Sequence, residues 1–163
     1  MNRQITPAPV RKTIEVKATL ERAFDVFTAS MGRWWAKSHS INSSPQEDVI
    51  IEPQPGGRWY ERGVDGSECQ WGHVIAWEPP HRILLAWQLN AEWRFDPDFF
   101  TELEIRFIPA ADGKTRIELE HRNIERFGAK TDETRAALDS DGGWTGLLKA
   151  YADAAEALAA RCL

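Results

Sequence analysis

A chain of 163 residues with 42% hydrophobic and 28% charged residues has the size and balance of one globular domain. Its net charge is −5, and its 20 lysines and arginines are scattered among 25 acidic residues, which excludes the clustered basic face of a nucleic-acid-binding protein. No apolar run is long enough to cross a bilayer and the N-terminus lacks the apolar stretch of a secretory signal, so we expect a cytoplasmic protein with no membrane partner.

The first part of the chain predicts a strand followed by two short helices. Residues 1–9 indicate a flexible tail, and alternation over residues 13–17 predicts a half-buried strand. Thr19 is a suitable helix cap, and apolar residues at helical spacing continue to about Ala29. The two tryptophans at 34–35 follow in a short second helix or turn.

The middle of the chain predicts a run of antiparallel strands. Val64-Asp65-Gly66 suits a hairpin turn, because Asp-Gly tolerates positive φ. Alternation of apolar and charged residues is clearest from Glu102 to Phe107. The strands predicted here are Val49–Glu52, Arg58–Gly63, Glu68–Trp77, Arg82–Leu89, 102–107 and 116–121.

The C-terminal segment predicts a long helix with one continuous apolar stripe. A rod of about 33 Å, at about 1.5 Å per residue, could cross a whole sheet. The segregated order of strand, helix pair, antiparallel strands and long helix indicates an α+β fold. The stripe consists of Trp144, Leu147, Leu148, Tyr151, Ala155, Leu158 and Cys162.

Two segments carry a resemblance to a known family. They are GGRWYERGVDGSECQWGHVIAWEPPHRILLAW, from Gly56 to Trp87, and GGWTGLLKAY, from Gly142 to Tyr151. The chain resembles the C-terminal-like family of activators of the heat-shock protein 90 ATPase, within the START/SRPBCC superfamily. The resemblance implies a helix-grip (START/Bet v-like) fold in one domain over residues 10–163. In that fold six or seven curved antiparallel strands wrap around a long C-terminal helix, with two short helices after the first strand.

The sequence leaves three kinds of function open, of which the resemblance implies the first two. The first is non-catalytic binding of a small hydrophobic or aromatic ligand under the C-terminal helix, with a stress- or chaperone-related role. The second is a cofactor-independent cyclase or dehydratase acting on an aromatic or polyketide-like substrate. The third is a protein-interaction module or homodimer. The chain lacks the separate N-terminal domain of the eukaryotic activator, so we do not expect it to stimulate the chaperone directly.

Many large rings in neighbouring strands and loops favour an enclosed apolar space. Core packing explains any one of them, but eight tryptophans around a single helix favour a cavity for the set. Loops 34–35 and 90–100 are either its mouth or caps on the open end of the sheet. The candidate ligand-binding residues are Trp35, Trp59, Glu61, Trp71, Leu85, Trp87, Trp93, Phe99, Phe107, His121, Trp144, Leu148 and Tyr151.

If the protein is an enzyme, the candidate acid and base groups are Glu61, His121 and His73. Strand parity places Glu61 with Trp59, and His121 on the inward face of its strand. An inward carboxylate or imidazole could exchange protons with a ligand. The alternative is that each is a structural side chain satisfied by hydrogen bonds within the core.

Strict alternation in the strand at residues 68–77 groups Trp71, His73, Ile75 and Trp77 on one face. Both faces of this strand carry apolar residues, so the pattern leaves open which one points inward. Gly72 lies where a kink would let the sheet bend.

No metal or cofactor is expected. Cys69 and His73 lie about 13 Å apart along a strand, too far for one ion to bridge. Cys69 and Cys162 are too few and too distant in sequence to indicate a disulfide framework. The glycines at 142–143, before the last helix, could receive an anion, but close approach of helix and sheet explains them more simply.

Overall fold

The computed structural model describes the backbone of residues 7–161 and the side chains of residues 7–157. It has the predicted α+β helix-grip architecture, in which a curved antiparallel sheet packs against a long C-terminal helix. Most of the predicted tail, residues 1–6, lies outside the described residues. The strands are β1 Val10–Val16, β2 Gln46–Ile51, β3 Arg58–Gly63, β4 Glu68–Glu78, β5 Arg82–Trp87, β6 Thr101–Pro109 and β7 Thr115–Arg122. The helices are α1 Leu20–Thr28, α2 Met31–Trp34, α3 Thr131–Asp139 and α4 Trp144–Arg161, with 3₁₀ segments at Ala111–Gly113 and Ile124–Lys130.

All seven strands form one sheet in the order β1-β7-β6-β5-β4-β3-β2. Every neighbouring pair is antiparallel, and consecutive strands from β2 to β7 are hydrogen-bonded neighbours. The first strand returns to pair with the last, from Val10 opposite His121 to Val16 opposite Thr115. The edge strands of the sheet are therefore β1 and β2, and the short helices α1 and α2 connect them along the chain.

The helix α1 begins where the sequence predicts. The Thr19 hydroxyl accepts a hydrogen bond from the Arg22 backbone N–H at 3.2 Å, which satisfies one of the free donors of the first turn. Its apolar face buries Phe24 and Phe27, and both rings pack edge-on against Phe107 of β6. The predicted periodicity therefore marks the face that covers the sheet.

The long helix α4 buries the predicted stripe from Trp144 to Ala155. The Leu158 side chain and Cys162 lie outside the described residues. Across the core, the Tyr151 hydroxyl donates to the Ala23 carbonyl at 2.7 Å and so ties α4 to α1. None of the helices in the described part of the chain has the length and apolar character needed to span a membrane.

The strict alternation predicted for β4 is wrong, because β-bulges interrupt this strand twice. Its register against β3 shifts next to Trp71, and its register against β5 shifts at Ile75. Each bulge adds a residue without a partner and reverses the alternation beyond it. As a result Trp71, Val74 and Trp77 join the core on the inner face, whereas His73 pairs with Arg58 and Ala86 on the outer face.

The segment after β7 holds structure that the sequence analysis does not predict. A 3₁₀ segment and α3 pack across one end of the sheet through only a few apolar side chains, among them Ile124, Phe127 and Leu138. The turn into α4 then passes very close to the end of α3. A Cβ at Gly143 would lie 2.4 Å from the carbonyl oxygens of Ala137 and Leu138, so close packing explains this glycine.

Candidate functional site

A cavity of about 430 Å³ opens at the N-terminal end of α4, between the inner face of the sheet and three loops. Its walls are mostly apolar and contain five of the eight tryptophans of the chain. The lining residues are Trp35, Trp71, Trp87, Trp93, Trp144, Ile41, Leu89, Ala137, Leu138, Leu147, Gly142, Gly143, Ser38, His39, Ser40 and Ser140. The predicted indole-lined space is therefore present near the start of the helix.

The indole rings that form the walls touch one another. The ring centroid of Trp35 lies 4.9 Å from that of Trp71 and 5.9 Å from that of Trp144. The Trp87 ring lies 5.8 Å from Trp144 and 6.3 Å from Trp93. Behind them Trp59 is fully buried and contacts three of these rings. Such tilted and edge-on contacts are favourable for aromatic pairs and stabilise the wall.

Each of the four buried wall tryptophans is held by its indole N–H. Trp35 donates to the His39 carbonyl at 3.1 Å, and Trp87 donates to the Leu89 carbonyl at 3.1 Å. Trp71 donates to the Glu61 carboxylate at 3.0 Å, and Trp144 donates to Nδ1 of His121 at 3.1 Å. These bonds fix the ring planes, so a flat molecule would meet a preformed surface.

Glu61 is fully buried in β3, next to Trp59 on the inner face as strand parity predicts. It lies behind the cavity wall. Its Oε1 accepts the Ile41 backbone N–H at 2.6 Å and the Trp71 indole N–H at 3.0 Å, and its Oε2 accepts the Ser40 hydroxyl. No lysine or arginine within residues 7–157 forms an ion pair with it. The carboxylate thus anchors the loop at 38–41 and one wall ring.

His121 is also fully buried on the inner face and lies behind a second wall. Since an indole can only donate, the Trp144 bond requires an unprotonated Nδ1. Nε2 then carries the hydrogen and donates to the Thr101 hydroxyl at 2.7 Å. Burial lowers the pKa of His121 to about 3. His121 therefore positions Trp144 as a neutral imidazole and is not available for proton exchange near neutrality.

The three candidate acid and base groups are not gathered around the cavity. His73 lies on the outer face, where its Nδ1 is 2.8 Å from the Gln88 side-chain oxygen. Glu61 and His121 contact different walls, through Trp71 and Trp144. Within the described residues, no three histidine, cysteine, aspartate or glutamate side chains cluster in a way that could hold a metal ion.

The remaining predicted ligand-binding residues belong to the surrounding core. Tyr151 packs between Phe27 and Trp34, and Phe99 packs on Phe127 with ring centroids 5.3 Å apart. The other members of this group are fully or nearly fully buried and do not line the cavity; they are Trp59, Leu85, Phe107 and Leu148. Strand parity identifies which residues face inward, but not which of them reach an open space.

The polar side of the cavity consists of residues that no pattern in the sequence singles out. Ser38, His39 and Ser40 come from the Ser-rich loop before β2, and Ser140 follows α3. The one available signal was the serine content of residues 37–46, which indicates a loop and no more.

The mouth of the cavity lies between the loop of Trp93 and the loop of His39. Trp93 is 44% exposed and has φ of 61°, a left-handed conformation unusual for a large residue. The Asn90 side-chain oxygen holds this turn by accepting the backbone N–H groups of Glu92 and Arg94. On the other side, Nε2 of His39 donates to the Gly142 carbonyl at 2.5 Å. Both loops therefore act as the rim of the cavity.

The fold and the site define a helix-grip protein with an indole-walled cavity beside its terminal helix. The chain belongs to the family described as activator of Hsp90 ATPase homolog 1-like protein, whose profile matches residues 17–155. The family resemblance of the sequence is thereby confirmed. A search of curated proteins finds no match.

Solved structures extend the comparison. An anthrahydroquino-Gama-pyrone synthase, Txn09, is 35% identical, with a TM-score of 0.64 over 91% of this chain and 97% of its own. CalC, a self-sacrificing resistance protein from Micromonospora echinospora, is 29% identical, with a TM-score of 0.71 over 94% and 97%. The Aha1 dimer from Colwellia psychrerythraea shares the fold at 17% identity, with a TM-score of 0.63 over 92% and 97%.

Proposed function

We propose that the protein binds a flat aromatic molecule in the indole-walled cavity, without reacting with it. The observation that carries this proposal is the convergence of five tryptophans on one space of about 430 Å³. Volumes in this range suit small organic ligands, and apolar walls with a few polar groups are typical of their sites. The fixed ring planes lower the entropy that binding would otherwise cost.

A second candidate is ring closure of an aromatic or polyketide-like substrate without a cofactor. It is favoured by the 35% identity with a protein named a synthase. Of the three acid and base candidates, Glu61 alone is bonded to a hydroxyl that lines the cavity, that of Ser40. His121 is neutral and hydrogen-bonded through both ring nitrogens, and His73 is on the outer face. Binding therefore has stronger support than catalysis.

Binding is tested by titrating the protein with neutral two- to four-ring aromatic compounds while tryptophan emission is recorded. We expect quenching that saturates, because the ligand would contact several indoles. Trp93→Ala should weaken binding about five- to tenfold and change stability by less than about 0.5 kcal/mol, since this ring is at the mouth and half exposed.

The matched control is Phe100→Ala, in the same connection but outside the cavity. Its affinity should equal that of the wild type. Unchanged emission across the whole panel would contradict the proposal. If a compound is converted into a product, seen as a new species in the mass spectrum, catalysis would replace binding as the proposed function.

A chaperone-related role or a homodimer is a further candidate, supported by the family and by the dimer among the structural neighbours. We expect the ATPase rate of a heat-shock protein 90 to be unchanged when this protein is added in excess. Light scattering over a hundredfold range of concentration gives the oligomeric state in the same samples. A reproducible increase of the ATPase rate would move the proposed role from ligand binding to the chaperone.

A further inference from the structure

Apart from the indole of Trp93 at the mouth, the side-chain donors around the cavity are already used by the protein. All four buried wall indoles donate to groups behind the wall. The Ser140 hydroxyl donates to the Ala137 carbonyl at 2.7 Å. Nε2 of His39 donates to the Gly142 carbonyl, and its Nδ1 lies 3.2 Å from the Ser38 hydroxyl oxygen. Serine oxygens whose hydrogens are used within the protein, as that of Ser140 is, face a ligand as acceptors.

Ser40 is the clearest of these acceptors because Glu61 fixes its hydrogen. The Ser40 hydroxyl donates to Oε2 of Glu61, so its hydrogen points at that oxygen. One lone pair of the Ser40 oxygen accepts the Asn42 backbone N–H at 3.2 Å. The second lone pair is left for a molecule in the cavity that Ser40 lines.

Resting on the proposed function, we propose that the cavity selects neutral aromatic molecules with a ring hydroxyl, which donates a hydrogen bond to Ser40 Oγ. A methyl ether of the same ring has no hydrogen to donate and would place its oxygen against the Ser40 lone pair. An ionised phenolate has the same defect. Within the described part of the chain, no lysine or arginine lines the cavity to compensate for its charge.

The structure supplies a substitution that should abolish this preference. In Glu61→Gln the side-chain oxygen is held at the Oε1 position, because the Ile41 and Trp71 N–H groups both donate there. The new amide NH₂ then faces Ser40 and donates to it. With both lone pairs of Ser40 filled, by this amide and by the Asn42 N–H, its hydroxyl hydrogen turns to the cavity.

The experiment compares the affinities of 2-naphthol and 2-methoxynaphthalene at pH 7 by tryptophan quenching. We expect the wild type to prefer 2-naphthol about five- to tenfold, the effect of one hydrogen bond. Glu61→Gln should lose this preference, because both probes can accept a hydrogen bond from Ser40, and Ser40→Ala should bind both alike. Ser140→Ala should keep the wild-type preference.

Each departure from this pattern has a distinct meaning. Equal preference in the wild type and Glu61→Gln, with both probes bound, overturns the role of the Ser40 and Glu61 pair and leaves aromatic binding intact. Loss of the preference in Ser140→Ala alone assigns the acceptor to Ser140 and also overturns it. Failure of the wild type to bind either probe or the wider panel removes the proposed function and this inference together.

Discussion

The free energy of unfolding is expected to fall by about 1.4 kcal/mol for each pH unit between pH 6 and pH 4.5. The cause is His121, whose pKa burial lowers from 6.5 to about 3. In this interval the unfolded chain takes up a proton at His121 and the folded chain does not. Acid therefore favours the unfolded state, and the stability present above pH 6.5 is lost as the pH falls towards 3.

The immediate surroundings of His121 give the same direction. Its ring lies against Trp87 and Trp144, and its two nitrogens are bonded to the Thr101 hydroxyl and the Trp144 N–H. A proton on Nδ1 would face the indole hydrogen, so the bond to Trp144 would become a repulsion. The folded chain therefore keeps this hydrogen bond between pH 6 and 4.5, and only the balance between the folded and unfolded states changes.

Urea unfolding at half-unit steps of pH measures this effect. His121→Gln can still accept from Trp144 and donate to Thr101, and its slope between pH 6 and 4.5 should be shallower by about 1.4 kcal/mol per unit. His81→Gln, at an exposed site, should keep the wild-type slope. A flat wild-type profile, or a slope that survives His121→Gln, would contradict the assignment.

Carboxylates add to the acid sensitivity towards the lower end of this interval and below it. Hydrogen bonds from Arg11, and next from Arg122, lower the pKa of Glu120, and the bond from Lys12 lowers the pKa of Asp139. Groups of this kind stabilise the fold above their unfolded pKa values, near 4, and lose that contribution as the pH falls further. The comparison of the wild type with His121→Gln, which leaves these carboxylates unchanged, therefore isolates the histidine.

Periodicity predicted the parts of this fold that repeat. The stripe of α4 and the pairing of Glu61 with Trp59 follow from the helical and strand periods, because buried faces must be apolar at regular intervals. Periodicity failed in β4, where an inserted residue changes the face without changing the composition. It failed again at α3, which has few apolar residues to mark a buried side.

The sequence could predict an aromatic-lined cavity, but not the loop residues that complete it. Its floor is made of strand residues such as Trp71 and Trp87, which are visible in the sequence as aromatic positions. Its rim comes from residues 38–41, 89–93 and 137–143, which are distant in sequence and lack a period. What brings them together is a set of single bonds, such as that from Ser40 to Glu61, and no local pattern marks such partners.

Replacing Gly72 by alanine is expected to destabilise the protein by about 3 kcal/mol or more. A Cβ at this position would lie 1.8 Å from the carbonyl oxygen of Ala86 in the neighbouring strand. That oxygen belongs to the backbone, so no side-chain rotation can relieve the overlap. Either β4 and β5 separate, or the bulge next to Trp71 is lost.

The matched control is Gly142→Ala, whose added carbon would meet only the Ser140 hydroxyl oxygen at 3.8 Å. Its stability in urea should stay within about 0.5 kcal/mol of the wild type. Equal costs at the two sites would show that lost chain flexibility, and not contact with Ala86, decides the effect.

Because the bulge places Trp71 on the cavity wall beside Trp87 of the next strand, Gly72→Ala should also weaken aromatic binding in any molecules that still fold. The close approach at Gly72 thus links the curvature of the sheet to the shape of the site.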